Sequence, residues 1–189
     1  MKLSGILSTF AVVVTLMAST SCSDKKFDVS GNITDAKDSL LYFENMSLNG
    51  AVVVDSVRLD EDGSFDFSVN APEAPEFYRL RIANQIINIA ADSIGEVAVK
   101  ASYPTMATDY EVTGSDDCSK IKELAIRQMA LQANINGIIA NRTLDADHVR
   151  DSIRTVLAVY KEQVKNDYIF KEPMRAYSYF ALFQTVALG

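Results

Sequence analysis

Two thiols and one imidazole are the side chains with which this chain could do redox or metal chemistry: Cys22, Cys118 and His148. The cysteines are far apart and form no C-x-x-C pair, so the chain cannot cycle by itself between dithiol and disulfide. Cys118 falls near the start of a long helical pattern. A helix N-terminus lowers a thiol pKa, while Asp116 and Asp117 push the other way. Cys118 is therefore the one candidate reactive thiol, and a passive thiol is the expectation. His148 is flanked by Asp145, Asp147 and Asp151, with Asp151 about one helical turn on. A solvent-facing helix start explains the same residues, so no metal and no cofactor is expected. Asp60-Glu61-Asp62-Gly63 is acidic but lacks calcium-loop spacing, and reads as a hairpin turn. Phe77, Tyr78 and Arg79 alternate as strand residues do, so core packing is their default. There is no Ser/His/Asp arrangement, phosphate loop or paired carboxylate, and an enzyme is not expected.

The elements around these residues divide the chain in two. From 27 to 114 short alternating runs are separated by turn residues. Strands are expected at Phe27 to Ile33, Leu40 to Met46, Ala51 to Leu59, Ser64 to Val69, Glu76 to Ile82, Gln85 to Ala91, Glu96 to Ala101 and Asp109 to Thr113. About eight such strands predict an antiparallel β-sandwich. From 115 to 189 the period changes to that of helices. Ser115 can cap the first helix, which Gly137 and the nearby asparagines weaken toward its end. A second helix is expected from Asp147 to about Lys171 and a third from Met174. The class is mainly β plus α: a sandwich followed by two to three helices.

Composition is that of a globular protein, with 48% hydrophobic and 23% charged residues and a net charge of −7. The acidic balance argues against nucleic-acid binding. The last segment crowds Tyr177, Tyr179, Phe180, Leu182, Phe183, Val186 and Leu188 onto more than one helical face. A helix that is apolar all round must be buried. This predicts a homo-oligomer or a protein partner bound through the C-terminal helices.

The N-terminal residues carry a resemblance. Lys2, the apolar run Leu3 to Met17 and the small residues Ala18-Ser19-Thr20-Ser21 have the three parts of a secretory signal. Cys22 directly after them resembles a bacterial lipobox, with Ser19 where that signal usually has Leu or Val. The resemblance implies cleavage of residues 1–21 and acylation of Cys22, leaving residues 22–26 as a tether. Loss of Lys2 with the leader brings the net charge to −8. Acyl chains hold a protein to a bilayer at roughly 0.8 kcal/mol per buried CH₂. Ser23 resembles outer-membrane sorting, and the expected location is the cell envelope, facing the periplasm. Four Asp-Ser-apolar tripeptides, at Ser39, Ser56, Ser93 and Ser152, resemble acceptors for O-glycosylation of exported proteins in Bacteroidetes.

A second resemblance rests on the order of several segments. These are Val29-Ser30-Gly31-Asn32-Ile33, Asp55 through Phe67, Pro75-Glu76-Phe77-Tyr78-Arg79-Leu80, Ile87 through Ser93, and Val112-Thr113-Gly114-Ser115. Together they resemble the uncharacterised β-sandwich domain that opens many Bacteroidetes-type thioredoxin-like lipoproteins (TlpA/ResA type). In that family the sandwich and a helical segment precede a thiol–disulfide oxidoreductase domain. That domain, with its C-x-x-C, is not in this sequence, so its catalytic residues have no positions here. The resemblance implies a non-catalytic, lipid-anchored module that positions or pairs a redox domain. The alternative is a stand-alone envelope lipoprotein that binds a ligand or a protein.

Overall fold

Alternation of apolar and polar residues builds two sheets that face one another. The computed structural model describes residues 25–47 and 49–188. The expected leader, the expected lipidation residue Cys22 and most of the expected tether lie outside them. The strands are β1 (Lys26–Thr34), β2 (Leu40–Ser47), β3 (Gly50–Arg58), β4 (Ser64–Asn70), β5 (Glu76–Ile82), β6 (Gln85–Ala91), β7 (Gly95–Ser102) and β8 (Tyr110–Thr113). One sheet has the order β4-β1-β7-β8 and the other β3-β2-β5-β6. Val29, Ile33, Val97 and Val99 face Leu41, Phe43, Leu80, Ile87 and Ile89 across the core, all fully buried. Phe43 stacks on Phe67 of the opposite sheet at 5.1 Å and on Tyr78 of its own at 4.9 Å. Among the described residues, eight strands and three α-helices give the mixed β plus α class that the sequence predicts.

Three features depart from the expectation. First, the sandwich is not wholly antiparallel, because β1 pairs with β7 in parallel, Phe27 against Gly95 through Thr34 against Ser102. A parallel pair needs a crossover, and here the whole run from β2 to β6 supplies it, so no local signal marks it. Second, Asp60-Glu61-Asp62-Gly63 does not close a hairpin, because β3 and β4 belong to different sheets. Leu59 is buried and bonded to the backbone of Asp38 and Ser39, and Gly63 accepts from Ile33 N at 2.9 Å. Gly63 has φ 66°, and a Cβ there would collide with the Ile33 carbonyl. The positive φ was legible; which sheet the chain enters next was not. Third, β3 is an edge strand exposed on both faces, with Val52, Val53 and Val54 exposed by 56, 51 and 46%. Its register against β2 shifts between Phe43 and Glu44. Such irregularities blunt open edges.

Ser115 caps α1 (Asp116–Ala140), its Oγ accepting from Cys118 N at 3.2 Å. The helix runs unbroken through Gly137, a weak point by sequence. α1 lies along β6 and β8, the edge strands of the two sheets. Beyond Leu131 it is mostly exposed, and Arg127, Leu131 and Asn134 stand beside Val156, Tyr160 and Gln163 of α2 (Ala146–Val164). A π-helical turn at Lys165–Ile169 follows α2, where the sequence predicts continuous helix. α3 (Ala176–Ala187) starts two residues later than predicted. Among the described residues no helix is long and apolar enough to cross a membrane.

Candidate functional site

α3 divides into two faces. Ala176, Tyr177, Ser178, Ala181 and Gln184 are buried, whereas Leu182, Phe183 and Val186 are exposed by 47, 64 and 70%. The inner face is held by specific contacts. Asp117, only 5% exposed, accepts from Tyr177 N at 3.0 Å and pairs with Arg175 Nη2 at 3.1 Å. It thereby supplies the N-cap that α3 lacks, since no side chain of its own caps it. Nearby Asp117 raises the Arg175 pKa still further. Higher up, Gln184 donates to Gln128 Oε1 at 2.8 Å. Phe180 packs on Phe77 of β5 at 5.6 Å, and Tyr168 meets Tyr177 edge-on at 6.2 Å.

The outer face opens into a groove of about 550 Å³ between α3 and the end of α2. Ala158, Ile169, Phe170, Leu182 and Val186 form its floor, and Lys161, Glu162 and Lys165 its rim. An apolar floor with a charged rim suits a helix or loop of another folded unit. A second, more polar groove of about 390 Å³ lies between α1 and the outer face of β5 and β6. Arg79, Asn84, Asn88, Gln128 and Gln132 line it. Arg79 is not a free cation, because it shares Glu44 with Arg81, whose Nη2 stands 2.7 Å from Glu44 Oε1. Glu44 is 3% exposed, and the hydrogen bond from Arg81 holds its carboxyl below the ordinary value despite burial.

The candidate reactive thiol, Cys118, is fully enclosed. Its Sγ donates to Ala90 O and accepts from Ala90 N, both at 3.4 Å, fastening α1 to β6. Burial pushes its pKa up, against the lowering by Ser115 and the Ala90 backbone. Desolvation therefore outweighs the helix N-terminus, and the thiol is a packing residue with no access for a reagent. His148 spends Nδ1 on Asp145 Oδ2 at 2.8 Å, and Asp145 caps α2 through the amides of Asp147 and His148. Hydrogen bonds from the His148 backbone and side chain hold the Asp145 pKa down. The four serines are placed unequally. Ser56 on the open edge of β3 and Ser93 in the β6–β7 turn are exposed, while Ser39 and Ser152 are half-buried. Sequence reasoning missed Glu44 and the role of Asp117. Nothing local marks either, because their partners stand 35 to 60 residues away.

Residues 27–120 match DUF4369, a domain of unknown function. The match covers the sandwich and the first turn of α1. No curated protein matches the chain. Among solved structures, the crystal structure of (S)-allantoin synthase is similar at 11% identity, with a TM-score of 0.35. That match covers 50% of this chain and 45% of the other, and at this score it carries no argument.

Proposed function

Taking residues 27–120 as a DUF4369 domain, we propose that this chain is a non-catalytic, lipid-anchored module of the cell envelope. Acylated Cys22 ties it to the outer membrane on the periplasmic side. Its helices present α3 to a thioredoxin-like redox domain that this sequence does not contain, and so position or pair that domain. The two-faced α3 carries the reading: its inner face is fixed by Asp117, Phe77 and Gln128, while Leu182, Phe183 and Val186 face outward. The test is photo-crosslinking from residue 182 in the native envelope, with the product identified by mass. A crosslinked domain that bears a C-x-x-C pair supports the reading. A partner without such a pair argues against it.

The alternative, a stand-alone binding lipoprotein, draws on the groove lined by Arg79, Asn84, Asn88, Gln128 and Gln132. Amide side chains both donate and accept, as a polar ligand or an extended peptide requires. Asn88→Ala with Gln132→Ala removes an amide from each wall of that groove and leaves α3 untouched, so the two readings separate by which variant loses its partner. Both share the anchor. Cys22→Ser should release the protein from membranes or leave the leader uncut, and unchanged fractionation and processing would sink the lipoprotein reading.

A further inference from the structure

Several elements of the fold meet at one end of the molecule. The first strand residue pairs bring Phe27 of β1 beside Gly95 of β7. Gly114 sits against the carbonyl of Glu96, so closely that a Cβ would not fit, which sets the start of α1 at the same end. Asp117 in that first turn holds Tyr177 and Arg175, which places the start of α3 there too. α1 and α3 run the same way, Asp117 to Gln128 along Tyr177 to Gln184, and α2 returns, with Asp167 near its end paired to Arg127. The N-terminus of β1, the β6–β7 turn and the α2–α3 turn therefore share one end, and the α1–α2 connection at 141–145 marks the other.

Both turns at the shared end carry large apolar side chains in the open. Ile94 is 62% exposed and Met174 80%. Single exposed apolar residues are ordinary, but these two sit at the end from which the chain leaves for Cys22. Only three peptide steps separate Cys22 from Lys25, a reach of at most about 11 Å when fully extended. The headgroup layer on each side of a bilayer is itself about 5–7 Å deep. A domain so closely tethered cannot stand off from the surface.

We propose that this end rests on the lipid, with Ile94 and Met174 entering the headgroup layer and the α1–α2 connection pointing away. The proposal rests on the lipid-anchor reading of Cys22. The occupant is a zwitterionic leaflet rather than an anionic one. Lys25, Lys26 and Lys171 at this end are offset by exposed Asp92, Glu96 and Glu172, in a chain of net charge −7. Electrostatic attraction to anionic lipid is thus not what seats it.

The experiment uses the full acylated chain in phosphatidylcholine vesicles that carry a nitroxide-labelled lipid. Because Cys118 is buried, a cysteine introduced at the surface is selectively labelled. A fluorophore is placed through Met174→Cys, Ile94→Cys or Arg142→Cys, the last lying in the α1–α2 connection, and acylation of Cys22 is verified by mass. Strong quenching at 174 and 94, none at 142 and no gain from added phosphatidylglycerol is the expected result. An acylated chain quenched equally at all three, or most at 142, overturns the orientation and leaves the anchor standing. Quenching that appears only with phosphatidylglycerol overturns the choice of leaflet chemistry. A chain without acyl groups removes the anchor reading and this orientation with it.

Discussion

The sandwich and the helical segment bury their apolar residues in different ways. In the sandwich the two sheets complete one another: Phe43, Leu80 and Ile87 are sealed between strands of both. In the helical segment burial is one-sided. α1 is buried at Cys118, Ile121 and Leu124, where it lies on β6, and is mostly open beyond Leu131. α3 hides Tyr177 and Ala181 while exposing Phe183 and Val186. Hydrophobic burial stabilises in proportion to area, so the first region closes over its own apolar residues. The second shares that core through one side of each helix and leaves apolar surface exposed.

The largest effect should come from emptying the closed region. Phe43→Ala is expected to destabilise by about 3–5 kcal/mol in denaturant unfolding, in the range of whole-domain stability, and to melt sandwich and helices together. Next is the attachment of α3. Asp117→Asn keeps an acceptor but loses the charge, and should cost about 2 kcal/mol. Hydrogen exchange should then quicken across 176–187 while β1, β2 and β5 stay protected. Equal loss of protection in both regions would erase the distinction between them.

Acid should act on the sandwich through Glu44. Its folded pKa lies below the ordinary value of 4.5. Its contribution is therefore complete above that value and is lost as pH falls through the lower, folded one. Thermal unfolding followed from pH 6 downward should show a decline that Glu44→Gln flattens. The smallest effect on stability belongs to the open face. Leu182→Asp should shift unfolding by no more than about 0.5 kcal/mol, yet abolish crosslinking from the neighbouring Val186. A large loss of stability would mean that this face is already buried against its own chain.

The sandwich was legible because its signals are local. Ser64 to Val69 alternates and forms β4, and the turn between Ser47 and Gly50 closes a hairpin whose strands, β2 and β3, do pair. Asp60 to Gly63 has the same turn chemistry and joins different sheets, because a positive φ reverses a chain without choosing its next neighbour. The start of the third helix was two residues out for a related reason. Its cap is Asp117, supplied from another helix, and no pattern within 170–180 announces it. Cys118 does stand at a helix start, as its spacing predicts, but its chemistry depends on Ala90 and the strand that covers it. The outward face of α3 was foreseeable from composition alone, since too many large apolar residues crowd twelve positions to share one side.

The parallel pairing of β1 with β7 has a mechanical consequence. β1 is an inner strand, laddered to β4 on one side and to β7 on the other. A pull on Lys26 along the strand axis is resisted by both ladders in shear, with many hydrogen bonds sharing the load. Peeling, in which the bonds break in succession, would need force across the sheet instead. A chain held by its first strand residues thus transmits tension into two ladders at once, and the helices, which follow β8 in the chain, lie outside that direct path.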